Sequence, residues 1–339
     1  MKAPLLLTMG EPAGIGGEIA LKAWARRSEG VAPFCLIDDP TRLDVLSRRL
    51  GLSVPVRAVE APEEGNLVFP QALPVLALPQ PLLQPPEPGR LDPRNGPAVV
   101  SAIELAVELV RAGRASAVVT NPIHKQVLYQ SGFRYPGHTE FLAALAGGAA
   151  RPVMMLACRE LRVVPVTIHV SLRDAIATLT TDEIIACGRI TAKALREDFG
   201  IRHPRLAVAA LNPHAGEGGG MGREEMDLIA PAVRTLCDEG IVALGPLPAD
   251  TLFHEAARAG YDAALCMYHD QALIPLKTID FAGGINVTLG LPFVRTSPDH
   301  GTALDIAGTG RADSSSLMAA LKVAGEMAAR REKAQGHDV

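Results

Sequence analysis

Short apolar runs alternate with amphipathic segments along this chain. Residues 34–37, 116–120 and 153–157 have the length and the low charge of buried strands. Residues 97–113 instead carry their apolar side chains at helical spacing, and Gly113 marks the end of that segment. Strands that alternate with helices favour a largely parallel sheet. The pattern therefore predicts an α/β fold.

Three further apolar runs are followed by a histidine within three residues. They are residues 162–168 before His169, residues 205–211 before His214, and residues 263–268 before His269. In open parallel sheets, ligands bind beyond the carboxyl ends of the strands, so residues there can converge although they are distant in sequence. Neutral imidazoles are also the commonest protein ligands of zinc and similar ions. A shared metal site and three structural histidines fit this pattern equally well.

The segment after His269 combines polar side chains with glycines to a degree that packing does not require. Lys277, Asn286 and Arg295 belong to this segment, and we expect Arg295 in a glycine-flanked loop. Cationic side chains at such a place suit an anionic ligand. Asp270, next to His269, could orient a metal ligand, take up a proton or have a purely structural role. The segment therefore predicts a binding site.

Glycines also lie between the first predicted strand and the first predicted helix, in the sequence GEPAGIGGE. Such a loop can bring a ligand close to backbone amides at a helix N-terminus. The loop lacks the dinucleotide fingerprint, because Ile19 stands where the third glycine or alanine belongs, and it also lacks the lysine of a P-loop. Ligand binding and tight packing explain these glycines equally well.

Helix signals are clearest in the second half of the chain. The pattern predicts helices over residues 182–199, 224–239 and 250–259. Thr181 precedes the first of them and has a side chain suited to capping a helix N-terminus. These helices alternate with the predicted strands, in agreement with the α/β interpretation.

Composition narrows the possible functions. The formal net charge of −4, from 33 Lys+Arg and 37 Asp+Glu, provides no positive field for nucleic acid or an anionic membrane. The five cysteines form no C-x-x-C pair, so we expect reduced thiols within the core. The chain shows neither a signal peptide nor an apolar run long enough to span a bilayer. A cytoplasmic location is expected.

Seven motifs carry a specific resemblance to a known family. They are GEPAGIGGE, GRLDPRNGPA, TNPIHK, YPGHTEFLA, NPHAGEGG, MYHDQALIPLK and NVTLGLPFVRTSPDHGTALDIAGTG. Through them, nearly the whole chain resembles the 4-hydroxythreonine-4-phosphate dehydrogenase family of vitamin B6 biosynthesis. The resemblance implies metal ligands at the three histidines named above, His169, His214 and His269. It implies substrate-binding residues at His138, Thr139, Lys277, Asn286 and Arg295.

The resemblance also implies an architecture. This is an isocitrate and isopropylmalate dehydrogenase-like fold of two α/β lobes with a largely parallel sheet and no Rossmann fingerprint. Residues 1–130 and 295–339 would form the first lobe, and residues 131–294 would form the second, with most of the metal and substrate ligands. The implied assembly is a homodimer with the active site in the cleft and at the subunit interface.

The implied reaction is the oxidation of 4-phosphohydroxy-L-threonine by NAD, or by NADP, with one divalent ion of zinc, magnesium or cobalt per subunit. The resulting β-keto acid would lose carbon dioxide to give 3-amino-2-oxopropyl phosphate, in pyridoxal 5'-phosphate biosynthesis. The alternatives are a related dehydrogenase of another four-carbon phosphorylated hydroxy acid or of a dihydrodiol, an acyltransferase on the same broad fold, and a non-catalytic binding protein. Metal dependence and NADH formation distinguish among them.

Overall fold

The computed structural model describes residues 3–148 and 150–335 of the chain. The chain divides into two compact units. The first comprises Met1–Pro152 and Leu291–Ala329, and the second comprises Val153–Gly290 and Arg330–Val339. These bounds differ from those expected for the two lobes, and the lobe limits stay a prediction.

Strands and helices alternate along most of the described residues. The strands are β1 (Leu5–Thr8), β2 (Phe34–Asp38), β3 (Val56–Val59), β4 (Leu73–Ala77), β5 (Ala117–Thr120), β6 (Val153–Ala157), β7 (Arg162–Pro165), β8 (Arg205–Ala209), β9 (Val242–Leu247), β10 (Ala263–Cys266), β11 (Ile285–Leu289) and β12 (Arg295–Pro298). The helices are α1 (Gly16–Ala25), α2 (Pro40–Arg49), α3 (Gly65–Val68), α4 (Gly96–Arg111), α5 (Lys125–Gln130), α6 (His138–Leu145), α7 (Leu172–Thr178), α8 (Thr181–Glu197), α9 (Ala230–Asp238), α10 (Glu255–Arg258), α11 (His269–Ile279) and α12 (Ser315–Gln335). None of the helices in the described residues is long and apolar enough to cross a membrane.

The first unit is built on parallel strands. Within its described residues they hydrogen-bond in the order β3–β4–β2–β1–β5–β12, and each of these pairs is parallel. Parallel neighbours require crossover connections, and helices such as α1 and α4 lie in those connections. The carboxyl ends of β1, β5 and β12 therefore share one edge of this unit.

The second unit contains both kinds of strand pairing. Its strands hydrogen-bond in the order β11–β6–β7–β10–β8–β9. Strand β6 is antiparallel to both β11 and β7, whereas β7, β10, β8 and β9 form parallel pairs. The largely parallel α/β arrangement is thus confirmed. Strand β10 lies between β7 and β8, so the three strands that precede His169, His214 and His269 are neighbours.

Each unit has its own apolar core. In the first unit, fully buried residues such as Leu6 and Val118 belong to one cluster with Phe141. In the second, Leu156 and Val163 belong to another cluster. Removing these side chains from water is the main favourable contribution to the stability of each unit.

Two helix predictions need correction. Thr180, not Thr181, caps α8, because the Thr180 hydroxyl accepts a hydrogen bond from the backbone N–H of Glu183 at 3.2 Å. Thr181 is already the first residue of that helix. The predicted helix over residues 250–259 is reduced to the short α10, since His254 in front of it has an extended backbone.

The five cysteines are free thiols. Cys35, Cys187 and Cys266 are buried as expected, but Cys158 is half-buried and Cys237 is exposed. The expectation of core positions is therefore wrong for Cys237, which lies near the end of α9.

Glu18 links helix α1 to the segment that follows β12. The Glu18 side chain is fully buried, and its carboxylate accepts hydrogen bonds from the backbone N–H groups of Gly308 and Ala312 at 3.1 and 3.0 Å. Lys22 pairs with the same carboxylate at 2.9 Å and donates to the carbonyls of Gly310 and Ala312. Buried polar groups of this kind are costly when one partner is lost.

We therefore expect Glu18→Ala to lower the free energy of unfolding by about 2–4 kcal/mol, because two backbone N–H groups lose their acceptor. Urea unfolding followed by circular dichroism measures the change. Glu29→Ala is the matched control, since Glu29 forms an exposed pair with Arg26 and its loss should change stability little. Equal stability of the Glu18→Ala variant and the unmodified protein would contradict this role.

Candidate active site

Two of the three strand-end histidines lie side by side in the second unit. The ring centroids of His169 and His269 are 5.8 Å apart. Both residues line a cavity of about 220 Å³, together with Thr167, Tyr268 and Asp270. The structure therefore brings these two imidazoles together at the carboxyl edge of β7 and β10.

Hydrogen bonds join the three strand ends to one another. The backbone N–H and the hydroxyl of Thr167, after β7, donate to the carbonyl of Met267, after β10, at 3.3 and 2.8 Å. The buried Gln271 side chain accepts from the N–H of Met267 at 2.7 Å and donates to the carbonyl of Ala210, after β8, at 2.6 Å. Sequence reasoning missed Gln271, because a glutamine in a helix gives no signal of such a role.

The Nδ1 atom of His269 forms a hydrogen bond with the neighbouring residue. It lies 2.7 Å from Oδ1 of Asp270. In a neutral imidazole, an Nδ1–H that donates to a carboxylate leaves the lone pair on Nε2, the arrangement found in many metal-binding histidines. Asp270 is in the first turn of α11 and is exposed. An exposed carboxylate in this position is better suited to orienting the His269 ring than to stabilising a core.

His214 lies in an unusual loop after β8. Residues 214–218 all have left-handed backbone angles, with φ of 52° at His214. His169 has φ of 49°. A positive φ outside glycine is uncommon and often marks a functional site. Within the described residues, no group of three or more histidine, cysteine or carboxylate side chains is arranged to hold a metal ion. The three-histidine centre therefore stays a prediction.

His169 and His269 are spaced to share a divalent ion. An ion about 2.1 Å from one nitrogen of each ring would place two ring centroids roughly 4.5–6.5 Å apart, depending on the angle at the ion. The observed separation of 5.8 Å between His169 and His269 falls within this range. Oxygen-bearing side chains at the same cavity, such as Thr167 and Asp270, are compatible with a zinc-like or cobalt-like site.

Cationic groups cluster in the first unit around the start of β12. Arg295 is the first residue of β12 and is only 3% exposed, so its predicted place in a loop is wrong. Its Nη2 donates to the hydroxyl of Thr120, at the end of β5, at 2.6 Å. Burial lowers the pKa of Arg295 to about 10, which still leaves it charged near neutral pH. A buried guanidinium of this kind suits a carboxylate or phosphate.

His138 and Thr139 begin helix α6 in the same unit. The pKa of His138 is lowered well below 6.5, first by burial and then by the positive charges of Arg295 and Lys125. Its Nε2 is shielded from solvent and has no hydrogen-bond partner in the described residues. Thr139 is half-buried. A neutral imidazole with an unsatisfied nitrogen beside two cations suggests a position for an anionic, hydrogen-bonding ligand.

Lys277 and Asn286 lie in the second unit. Lys277 is on α11, and its Nζ lies 5.1 Å from the centre of the Phe281 ring. Asn286 is on β11 opposite Leu156, and its Oδ1 is buried with no hydrogen-bond partner among the residues that the structure describes. That oxygen could accept a hydrogen bond from a ligand, whereas Lys277 contributes a positive charge.

The glycine-rich loop of the first unit packs against the segment after β12. The N–H of Ile15 donates to the carbonyl of Thr302 at 3.1 Å, and a Cβ on Gly14 would lie 2.9 Å from the same oxygen. Gly14 and Gly308 also line a cavity of about 330 Å³ that includes Arg49. Tight packing is thus one reason for these glycines, and the cavity leaves room for a ligand beside them.

Comparisons with known proteins place the chain in a family. The sequence profile of the family described as "Pyridoxal phosphate biosynthetic protein PdxA" matches residues 32–324. The chain belongs to this family. It is 59% identical to a 4-hydroxythreonine-4-phosphate dehydrogenase of Methylorubrum extorquens over 332 residues, which cover 96% of this chain and 95% of the relative. It is 55% identical to the enzyme of that name from Bradyrhizobium diazoefficiens over 338 residues, which cover 96% and 97%.

A solved structure agrees with these relatives. The crystal structure of 4-hydroxythreonine-4-phosphate dehydrogenase from Klebsiella pneumoniae matches with a TM-score of 0.83 and 37% identity, over 96% of this chain and 99% of that chain. The resemblance seen in the motifs and the prediction of an oxidoreductase of this family are confirmed.

The depressed pKa of His138 predicts a dependence of stability on pH. The unfolded chain binds a proton at this residue near its ordinary pKa of 6.5, whereas the folded protein does not. The His138 contribution is therefore complete above that pH and is lost as the pH falls below it. We expect His138→Gln to lose less stability than the unmodified protein between about pH 7.5 and about pH 5.5.

Urea unfolding at the two pH values measures this difference. His203→Gln, which removes an exposed imidazole in the second unit, is the matched control. An unchanged pH dependence in His138→Gln would mean that the folded protein binds the proton as readily as the unfolded chain.

Proposed function

We propose that the protein is an NAD-dependent and divalent-metal-dependent dehydrogenase that oxidises 4-phosphohydroxy-L-threonine. The β-keto acid so formed loses carbon dioxide to give 3-amino-2-oxopropyl phosphate, a step of pyridoxal 5'-phosphate biosynthesis. The observation that carries this proposal is the pair of imidazoles, His169 and His269, at the carboxyl edge of adjacent parallel strands in a chain of this family. Free thiols in all five cysteines suit a reducing compartment such as the cytoplasm.

His169, His214 and His269 would hold the ion through neutral ring nitrogens. When bound, such an ion acts as a Lewis acid on the substrate hydroxyl and later on the ketone that takes its place. Asp270 keeps the lone pair of His269 on Nε2 through the 2.7 Å contact with Nδ1. Thr167 and Gln271 fix the backbone from which these side chains extend.

The substrate supplies a phosphate, a carboxylate and an amino group, and the candidate residues match these groups in kind. Arg295 and Lys277 are cations for the two anionic groups. Neutral His138 and the hydroxyl of Thr139 can donate hydrogen bonds to the phosphate. The Oδ1 of Asn286 can accept one from the amino group or from a hydroxyl.

Bound NAD would supply the acceptor for the hydride on the hydroxyl-bearing carbon, and the hydroxyl proton would pass to solvent or to a nearby base. We place the dinucleotide, or NADP in its stead, beside the glycine-rich loop of the first unit. The cavity of about 330 Å³ next to Gly14 and Gly308 supports this placement, because it lies beyond the carboxyl ends of parallel strands. Arg49 at its wall is the candidate contact for a cofactor phosphate.

A homodimer with a composite site would bring a third histidine to the pair formed by His169 and His269. A second copy would then supply the missing ligand, so that each ion is held by imidazoles of two subunits. The left-handed loop of His214 supports this view, since an exposed and strained histidine is poorly explained by packing within its own chain.

The first test is metal content and NADH formation with 4-phosphohydroxy-L-threonine for single alanine variants of His169, His214 and His269. Each variant should lose turnover by at least about 100-fold and should lose most of its metal, since two ligands hold an ion weakly. Alanine variants of His203 and His254, which lie outside the candidate site, are the controls and should keep both properties.

An unmodified protein that forms NADH at its full rate after complete chelation would exclude the metal role. Absence of NADH formation under any metal would instead favour the alternatives, an acyltransferase or a binding protein. If the protein turns over only a dihydrodiol or another phosphorylated hydroxy acid, the proposed substrate would be wrong, whereas the proposed metal-dependent oxidation would still hold.

The second test mixes two inactive variants, His214→Ala and His269→Ala, under conditions that allow subunits to exchange. If the ligands of one ion come from two copies, each heterodimer contains one intact site, so its activity should recover to about half of the unmodified value. No recovery in heterodimers verified by mass spectrometry would show that every ligand set comes from one chain. A fully active monomer in sedimentation would exclude the dimer itself.

A further inference from the structure

The loop from Asn212 to Gly222 carries His214 and has a backbone that its own sequence does not favour. Five consecutive residues, 214–218, adopt left-handed angles. Three of them, His214, Ala215 and Glu217, are not glycine and are therefore held in a conformation that L-residues avoid. Such a run persists only where surrounding contacts determine it.

Glu225 lies beneath the loop and hydrogen-bonds to the residues from which the left-handed run begins. The residue is 3% exposed, and its Oε1 accepts hydrogen bonds from the backbone N–H groups of Leu211 and Asn212 at 2.9 and 2.7 Å. Its Oε2 accepts from Nδ2 of Asn212 at 3.0 Å. Burial raises the pKa of Glu225, but these hydrogen bonds outweigh the effect and bring it below its ordinary value. The carboxylate therefore stays ionised under the loop.

Two glycines show how closely the loop packs against the hydrogen-bonded side chains of Glu225 and Asn212. A Cβ on Gly216 would lie 2.6 Å from Oε2 of Glu225, and a Cβ on Gly222 would lie 2.4 Å from Nδ2 of Asn212. Both have positive φ as well. The backbone of the loop thus rests directly on the carboxylate and on its partner Asn212, with no room for a side chain between them.

The position of Glu225 at the start of a π-turn is consistent with a functional requirement. Residues Glu225–Ile229 form this turn ahead of α9. Turns of this type are rare and occur often at functional sites. The turn places the Glu225 carboxylate below Asn212, and Asn212 precedes His214 by two residues.

We propose that Glu225 is a positioning residue, which holds the loop in the conformation that presents His214 as a metal ligand. This inference rests on the proposed function, because it assumes that His214 binds the ion. Glu225 is buried beneath the loop backbone and acts on His214 through its hydrogen bonds to Leu211 and Asn212 and its packing against Gly216. Loss of its carboxylate should free the loop before it affects the rest of the unit.

The experiment compares Glu225→Gln, Glu225→Ala and the control Asp227→Asn. The glutamine variant keeps one oxygen for the two backbone N–H groups but turns an NH₂ group toward Nδ2 of Asn212, so its defect should be partial. The alanine variant loses all three hydrogen bonds. Asp227 lies in the same turn but pairs with Arg223 at the surface.

Amide hydrogen exchange of the metal-free protein is the first measurement. Exchange in residues 214–222 should be fastest in Glu225→Ala, by about 10-fold or more, and intermediate in Glu225→Gln. Strand β10 serves as the internal reference, and its exchange should not change. Unchanged exchange of the loop in Glu225→Ala, or equal acceleration in β10, would overturn the positioning role.

Affinity for Co²⁺, followed by its visible absorption, is the second measurement. We expect binding to weaken by about 10-fold in Glu225→Gln, and more in Glu225→Ala, with no change in Asp227→Asn. A loosened loop with unchanged Co²⁺ affinity would overturn the inference while leaving the proposed function intact. If the unmodified protein binds no Co²⁺, the metal role in the proposed function would be wrong. The inference about Glu225 would then be wrong as well.

Discussion

The parallel pairing of β10 with β7 on one side and β8 on the other is the constraint on which the candidate metal site depends. It fixes Leu265 opposite both Val164 and Val208, so the three chain segments leave the sheet at the same edge. Thr167 and Gln271 then connect these segments by hydrogen bonds just beyond the strands. Small changes in register would move the histidines to different depths, because each residue of a strand advances it by about 3.3 Å.

The site combines this rigid edge with strained and buried polar groups. His169 and His214 both have left-handed backbones, and the second is supported by an ionised carboxylate. In the first unit, a buried guanidinium and a neutral imidazole are near each other, and the charge of one depresses the pKa of the other. Neither arrangement contributes favourably to an apolar core, so ligand binding explains them better than stability does.

Much of the fold could be predicted from the sequence, because short apolar runs and helical spacing reflect burial directly. The approach of His169 to His269 could be predicted, because adjacent parallel strands end at the same edge of a sheet and residues just beyond them lie close together. The conformation of His214 could not be predicted, since it depends on a carboxylate that is eleven positions later and on a run of left-handed residues. Arg295 was misplaced because the polar sequence RTSP does not look like a strand, although its residues are buried in β12. Gln271 gave no signal at all.

The claim that the strand-end histidines hold a divalent ion can be tested most directly by anomalous diffraction from crystals grown with Co²⁺. We expect one anomalous peak per subunit, with nitrogens of His169, His214 and His269 each about 2.1 Å away when both copies of the dimer are considered. Weak or absent binding in a His214→Ala crystal would support the same conclusion. A strong peak elsewhere, with no density between these imidazoles, would contradict it.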